Sequence, residues 1–98
     1  MATVRKSDVF QSWYEDLRDQ KAKARIDARI RRLELGNPGN VEPVGEGVSE
    51  LKIDYGPGYR VYFVKTGKTV VVLLCGGDKS TQAQDIKKAK TLAKELKS

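Results

Sequence analysis

The spacing of apolar residues changes between Gly36 and Gly47, and that change constrains the fold more than any other feature. Before Gly36 the apolar residues recur at helical intervals, first over 10–17 and then over 22–33. After Gly47 they alternate with polar residues, which is typical of β-strands. The sequence therefore predicts helices first and a sheet second, followed by one more helix.

Two helices are expected in the first third of the chain. Ser7 is a suitable N-cap for the first helix, and no glycine or proline separates it from the second. At about 100° per residue, the two apolar sets would point to nearly opposite sides of one straight helix. We therefore predict a break between Arg18 and Lys21 and a helical hairpin that faces one core. Gly36-Asn37-Pro38-Gly39 is expected to end the second helix.

Three strands form the predicted sheet. Residues 49–53 alternate as a half-buried strand, residues 59–65 form the second strand, and residues 69–75 form a third that is apolar on both faces. Gly76-Gly77 is expected to end the third strand, and a glycine- and acid-rich loop precedes the first. Residues 2–6 are a candidate edge strand.

The last segment is predicted to be a helix. Thr81 and Gln84 fit a capping box, and four residues should face inward: Ile86, Ala89, Ala93 and Leu96. The expected order is β-α-α-β-β-β-α. This is an α+β fold in which a helical hairpin and a C-terminal helix pack on a small antiparallel sheet, as one domain over residues 1–98.

Composition limits the chemistry available to the chain. Its 98 residues include no histidine and one cysteine, Cys75, which excludes catalysis by Ser-His or Cys-His pairs, a zinc site and an internal disulfide. We expect no metal and no cofactor. The longest apolar run, over 70–75, is far shorter than the roughly 20 residues of a membrane span. The first residues lack a secretory pattern, so we expect a cytoplasmic protein with no membrane partner.

A net charge of +6 suits a polyanionic partner such as nucleic acid. Arg60 and Tyr62 should share one face of the second strand, and Lys52 lies on the neighbouring strand of the same hairpin. Asp78 and Lys79 precede the last helix, where free backbone N–H groups favour an anion. Together these residues predict a surface that binds phosphates and stacks a base.

Each of these residues also has a structural interpretation. Arg60 could pair across strands with Glu50, Lys52 could be a solvated strand residue, and Tyr62 could be half-buried packing. Four basic residues form a second feature, a helical stripe that is either a solvated face or a protein contact: Lys21, Arg25, Arg29 and Arg32. We refer to these four residues as the basic stripe.

Three segments carry a family resemblance: 47–53, 56–63, and 74–82 with Asp85-Ile86. Together with 24–33 and Gly36-Asn37, they closely resemble the phage-derived, HigB-like addiction-module killer proteins of the RelE/ParE toxin superfamily. The resemblance covers nearly the whole chain. It implies the toxin of a type II toxin–antitoxin system, an endoribonuclease (mRNA interferase) that cleaves mRNA, usually in the ribosomal A site, until an antitoxin sequesters it.

The resemblance also assigns roles to residues. Arg60 matches the Gly-Tyr-Arg element and is expected to bind phosphate and stabilise the transition state, at little cost in stability if it is replaced. Lys52 would be a second cation or a proton-transfer group, and Lys79 a third cation. Three residues are predicted to bind substrate: Glu50, Tyr62 and Asp78. RelE-type enzymes often have a tyrosine near the chain's end, which is absent here, so the base could be any of four residues: Lys52, Glu50, Tyr62 and Asp78.

The resemblance implies three partners, namely a HigA-like helix-turn-helix antitoxin, mRNA and the ribosome, with operator DNA bound only through the antitoxin. From charge and exposure, we expect the antitoxin to contact the basic stripe as well as, or instead of, Arg60. Two other functions fit the sequence. The chain could inhibit DNA gyrase as ParE-like proteins do, or it could be a non-catalytic module that binds RNA or the ribosome.

Overall fold

A five-stranded sheet lies between two layers of helix in the computed structural model, which describes residues 1–97. Ser98, the last residue of the predicted domain, lies outside the described residues. The elements are β1 (Thr3–Lys6), α1 (Asp8–Asp16), α2 (Gln20–Glu34), β2 (Val41–Gly45), β3 (Val48–Ile53), β4 (Tyr59–Thr66), β5 (Val70–Asp78), a 3-10 turn (Lys79–Thr81) and α3 (Gln82–Lys97). The predicted α+β class is confirmed.

The sheet has the strand order β1-β5-β4-β3-β2. The predicted edge strand is present as β1, but it pairs in parallel with β5, whereas the other pairs are antiparallel. The sheet is therefore mixed, and the prediction of a wholly antiparallel sheet is corrected here. A parallel pair needs a long connection between its strands, and the chain between β1 and β5 includes the helical hairpin and three further strands.

Strand β2 replaces part of the predicted loop. It pairs with β3 and has an irregular register between Pro43 and Gly45. Only Val41 and Val44 in this strand are partly buried, so the segment lacks the regular alternation that marks a strand in sequence. Proline is tolerated there because β2 is an edge strand, where the missing N–H need not face a neighbour.

The helical hairpin follows the predicted pattern. Ser7 Oγ accepts a hydrogen bond from the backbone N–H of Phe10 at 3.0 Å, which caps α1. The chain leaves the helix after Asp16, and Asp19 caps α2 by accepting from the backbone N–H groups of Lys21 and Ala22. The predicted break is confirmed. Both helices cover one face of the sheet and share one core, whose members include Phe10, Ile26, Ile30, Leu33, Leu51, Val61, Phe63 and Leu73.

Helix α3 covers the opposite face. Its buried residues Ala89 and Ala93 pack against a second core that includes Tyr62, Val64, Leu74 and Cys75. The prediction that Leu96 faces inward is wrong, since half of it is exposed, and Leu92 packs against this core instead. The predicted capping box is also absent, because Thr81 Oγ1 donates to Asp85 Oδ2 at 2.5 Å and Asp78 caps the preceding turn.

Gly76 and Gly77 lie inside β5, which continues to Asp78, and do not end the strand as predicted. A Cβ atom at Gly76 would overlap the ring of Trp13 in α1, and one at Gly77 would overlap the carboxylate of Asp85 in α3. The two glycines therefore allow a helix to approach the strand backbone closely from each face of the sheet. This approach places Gln82, the first residue of α3, beside Glu50 of β3.

Candidate functional site

Strands β3 and β4 bring four of the predicted site residues together. In the antiparallel register Lys52 lies opposite Arg60, and Glu50 lies opposite Tyr62. Residues two apart on a strand point to the same face, so all four side chains lie on the α3 side of the sheet. The sequence left this register open because the turn between the strands is irregular. We refer to Glu50, Lys52 and Arg60, together with Lys79, which is described below, as the Arg60 site.

Glu50 is at the centre of the site and is only 1% exposed. Its Oε1 atom accepts hydrogen bonds from Gln82 Nε2 at 2.7 Å and from the Tyr62 hydroxyl at 3.3 Å. The same oxygen lies 3.4 Å from Arg60 Nε, which is ion-pair distance. The Arg60 N–H is not aligned for a hydrogen bond, so charge attraction is the main contact between these two side chains.

The Arg60 side chain is mostly buried. Only 13% of its side chain is exposed, and Glu50 is its one ionic partner within residues 1–97. The cross-strand pair that the sequence offered as a structural interpretation of Arg60 is therefore present. The ion pair is made at Nε, and the terminal nitrogens have no carboxylate partner in the described chain.

Tyr62 is completely buried and presents no ring face to solvent. Burial, and then the nearby charge of Glu50, raise the pKa of its hydroxyl above the ordinary value. Direct contact of a substrate with Tyr62 or Glu50 would require the side chains around them to move. The surface that the sequence predicted for base stacking is closed at Tyr62 in this structure.

Lys52 is more accessible, with 23% of its side chain exposed. Its Nζ lies 3.0 Å from Glu42 Oε1, a residue of the unpredicted strand β2. The Lys52 backbone is held on both sides, since its N–H donates to the carbonyl of Asn40 at 3.0 Å and its carbonyl accepts from Arg29 Nη1. The Lys52 backbone is thus held in place directly opposite Arg60, and its ammonium group pairs with Glu42.

Lys79 is exposed and lies beside the turn between β3 and β4, where its Cβ is 3.5 Å from the position that a Cβ would take at Gly58. The structure therefore places it at the same end of the sheet as Arg60. Asp78 has a local role, because its Oδ1 accepts from the backbone N–H of Ser80 at 2.8 Å and from the Ser80 hydroxyl at 2.5 Å. Asp78 therefore caps this turn with its own carboxylate.

The four residues of the basic stripe have different surroundings. Lys21 is exposed near the start of α2, whereas Arg25, Arg29 and Arg32 line a groove of about 290 Å³ beside Ile53. Arg29 is partly buried, and its guanidinium donates to three backbone carbonyls, those of Lys52, Pro38 and Asn40. The interpretation of the stripe as a simple solvated face is therefore wrong for Arg29.

Sequence reasoning missed Gln82, Glu42 and the bonding of Arg29. Two signals could have pointed to Gln82. It lies in a segment that carries the family resemblance, and the nearby Gly77 indicates that another element packs closely there. Nothing in the sequence marks Glu42, because its strand lacks alternation. Among residues 1–97, no group of three or more Cys, Asp or Glu side chains could hold a metal ion. None of the helices that the structure describes is both long and apolar enough to span a membrane.

The Arg60 site lies within the region that matches known proteins. The family model for "phage derived protein Gp49-like (DUF891)" matches residues 14–98, which include every member of the Arg60 site. An uncharacterized protein of Haemophilus influenzae (strain Rd) is 54% identical over 88 residues, which make up 90% of this chain and 89% of that protein. The similarity to this relative therefore extends over nearly the full length of both chains.

Proposed function

Because the chain belongs to the phage-derived Gp49-like family, we propose that it is the toxin of a type II toxin–antitoxin system and an mRNA endoribonuclease that needs no metal ion. The association of this family with toxin–antitoxin systems supports the assignment as a toxin. The arrangement of side chains around Arg60 supports the assignment as an endoribonuclease. We further propose that the chain belongs to the HigB-like branch of the RelE/ParE superfamily, on the segments described above.

One observation carries the ribonuclease proposal. Arg60 forms an ion pair with the buried Glu50, and Lys52 lies directly opposite Arg60 in the strand register. Lys79 follows the strand on the other side of Arg60. A phosphate at the Arg60 guanidinium would meet Arg60 and Lys52, which are each held by an ion pair, and the exposed Lys79 nearby. Fixed charges of this kind stabilise a transition state without reorganising as the reaction proceeds.

The reaction requires little more than charge and proton transfer. The 2′-oxygen of RNA attacks the adjacent phosphorus, the bond from phosphorus to the 5′-oxygen breaks, and a 2′,3′-cyclic phosphate forms. One proton leaves the 2′-hydroxyl, one proton reaches the 5′-oxygen, and negative charge increases on the non-bridging oxygens. In this proposal Arg60 stabilises that charge and Lys79 adds a second, more mobile cation.

Lys52 is our proposal for the proton-transfer group. Of the four candidates, Glu50 and Tyr62 are buried, and Asp78 caps the turn before α3. Lys52 is partly exposed and lies opposite Arg60. Its ammonium group can donate a proton to the leaving 5′-oxygen, which is a general-acid role. The proton of the 2′-hydroxyl passes to solvent water in this proposal, so none of the four residues acts as the base.

The proposed partners are mRNA, the ribosome and a HigA-like antitoxin, with operator DNA reached only through the antitoxin.

The ribonuclease proposal is tested by adding the purified protein to a translating extract and mapping cuts in the mRNA by primer extension. In the extract we expect cuts that depend on translation. In a separate assay with free RNA at high protein concentration, we expect slower cutting that survives EDTA. Loss of cutting on free RNA in EDTA, with recovery on adding magnesium, would contradict the metal-free mechanism.

Two variants make this test specific. Arg60→Lys retains a cation but loses the planar guanidinium, and it should cut much more slowly than the parent. Lys65→Ala removes an exposed lysine from the far end of β4 and is the matched control, expected to cut like the parent.

A supercoiling assay with DNA gyrase tests the alternative function in parallel. Inhibition of gyrase without any RNA cleavage would replace this proposal with a ParE-like function.

A further inference from the structure

We propose that the groove beside α2 is the docking site for an acidic segment of a protein partner. The groove has a volume of about 290 Å³ and six lining residues: Arg25, Ala28, Arg29, Arg32, Ile53 and Asp54. Ile53 belongs to the core on the helical-hairpin side of the sheet. The groove therefore opens on the opposite side from the Lys52 and Arg60 side chains, so one partner segment can occupy it without contacting the Arg60 site.

Arg29 is fixed before any partner binds. Its guanidinium donates hydrogen bonds to the carbonyl oxygens of Pro38 at 3.0 Å and Asn40 at 3.3 Å, and to that of Lys52. These contacts tie α2 to the segment before β2 and to the end of β3. An arginine held in this way loses little conformational freedom when an anion binds beside it.

Arg25 is also ordered. Its guanidinium carbon lies 4.7 Å from the centroid of the Tyr55 ring, a cation–π contact. The Tyr55 hydroxyl in turn donates to Asp19 Oδ2 at 3.1 Å, so the ring is held by the cap of α2. Two of the three groove arginines thus have defined positions, and the third, Arg32, is exposed at the rim.

The groove has three arginines and one carboxylate, Asp54, so positive charge is in excess. None of the ion pairs found in residues 1–97 involves Arg25, Arg29 or Arg32, whereas the neighbouring Arg31 pairs with Glu34 at 3.6 Å. Burial and the charge of Arg32 both lower the pKa of Arg29, as expected where positive groups crowd together. A carboxylate from outside would meet three guanidinium groups, whose planar geometry matches it well.

The other lining residues favour a peptide over nucleic acid. Ile53 and Ala28 give the groove an apolar floor, which an aliphatic side chain can cover. Asp54 would repel a phosphate, while a peptide can place an N–H group or a positive residue there. The lining contains no aromatic ring on which a base could stack. The occupant that fits is a peptide segment with acidic residues around an apolar one.

Under the proposed function this partner is the antitoxin, and that identification rests on the proposed function. The groove itself does not depend on ribonuclease activity. Opposite charges on the two surfaces would speed their encounter, and the effect would weaken as salt rises. The docking of an acidic segment is therefore measurable by binding alone.

The test uses a fluorescein-labelled peptide of glutamates around a central leucine, titrated with the whole protein at low salt and followed by fluorescence anisotropy. The variant Arg25→Ala/Arg32→Ala removes two groove charges and retains Arg29 for its structural contacts. The control Arg18→Ala/Arg31→Ala removes two exposed arginines outside the groove. We expect the groove variant to bind about tenfold more weakly, and the control to bind within about twofold of the parent.

Several results would overturn the proposal. These are no binding of the peptide to the parent protein, or an equal loss of affinity in the two double variants. Arg32→Glu alone is a second groove variant, because Arg32 is exposed and its replacement leaves the contacts of Arg25 and Arg29 intact. A labelled single-stranded RNA is the second probe. Greater loss of RNA binding than of peptide binding in the groove variant would assign the groove to nucleic acid instead. Failure of the ribonuclease assay would leave this binding result unchanged.

Discussion

Arg60 Nε lies 3.4 Å from Oε1 of Glu50, a carboxylate that is only 1% exposed. The same oxygen accepts hydrogen bonds from Gln82 and Tyr62. A buried carboxylate needs such partners, because its transfer from water is costly unless it is paired and hydrogen-bonded. Arg60 therefore contributes to stability as well as to the surface on which we propose that RNA binds. The expectation that Arg60 could be replaced at little cost in stability does not fit this arrangement.

Arg60→Ala should lower the free energy of unfolding by about 3 kcal/mol, because it leaves Glu50 buried without its cationic partner. In Glu50→Gln/Arg60→Ala, where the unpaired charge is gone, most of that loss should be recovered. Both variants should fail to cleave RNA. Urea unfolding measures the first effect and primer extension the second. If Arg60→Ala were as stable as the parent, the ion pair would contribute nothing.

Lys52→Ala should reduce RNA cleavage about a hundredfold, as expected for the loss of a proton-transfer group. Glu42→Gln removes the carboxylate that lies 3.0 Å from Lys52 Nζ, and it should leave cleavage unchanged or slightly increased. Single-turnover rates on a model RNA are the measurement. Equal losses in the two variants would mean that the ion pair positions the strand and that Lys52 has no chemical role.

Gly77→Ala should destabilise the protein by roughly 2 kcal/mol, because the added Cβ would overlap the carboxylate of Asp85. Asp85→Ala removes that carboxylate together with its hydrogen bond from Thr81. In the double variant the two costs should be less than additive, and a double-mutant cycle by urea unfolding measures the coupling. Strictly additive costs would show that the methyl group of Gly77→Ala does not clash with the Asp85 carboxylate.

Asp19→Asn should make the protein less sensitive to acid. Hydrogen bonds to the Asp19 carboxylate, first from the backbone of Ala22, lower its pKa below the ordinary value of 3.8. The folded state therefore holds this proton less tightly than the unfolded chain, so the contribution of Asp19 to stability is present above pH 3.8 and lost as the pH falls through the lowered pKa.

Asparagine caps a helix about as well as aspartate but does not titrate. The melting temperature of Asp19→Asn should thus be close to that of the parent at pH 7 and should fall less than the parent's at pH 3. Asp16→Asn, at an exposed carboxylate in the last turn of α1, is the control. An equal fall in all three proteins would show that Asp19 is not an acid-sensitive contact.

The sequence by itself determined the local elements of this protein. The Ser7 cap, the break of the hairpin before Gln20 and the stop at Gly36 all follow from residues within a turn or two of one another. The alternation along β4 likewise determined that Arg60 and Tyr62 share a face. Caps, periods and turns depend on neighbouring residues, which is why one sequence suffices to predict them.

Only the tertiary structure decided what those residues contact. The pairing of Lys52 with Arg60 depends on the register between two strands, and the edge strand β2 forms only because β3 is there to pair with it. Tyr62 is buried because α3, distant in sequence, covers that face of the sheet. The same packing brings Gln82 to Glu50 and leaves Arg60 at the surface. Burial and strand register depend on contacts between segments that are distant in sequence, so they cannot be predicted from a local pattern.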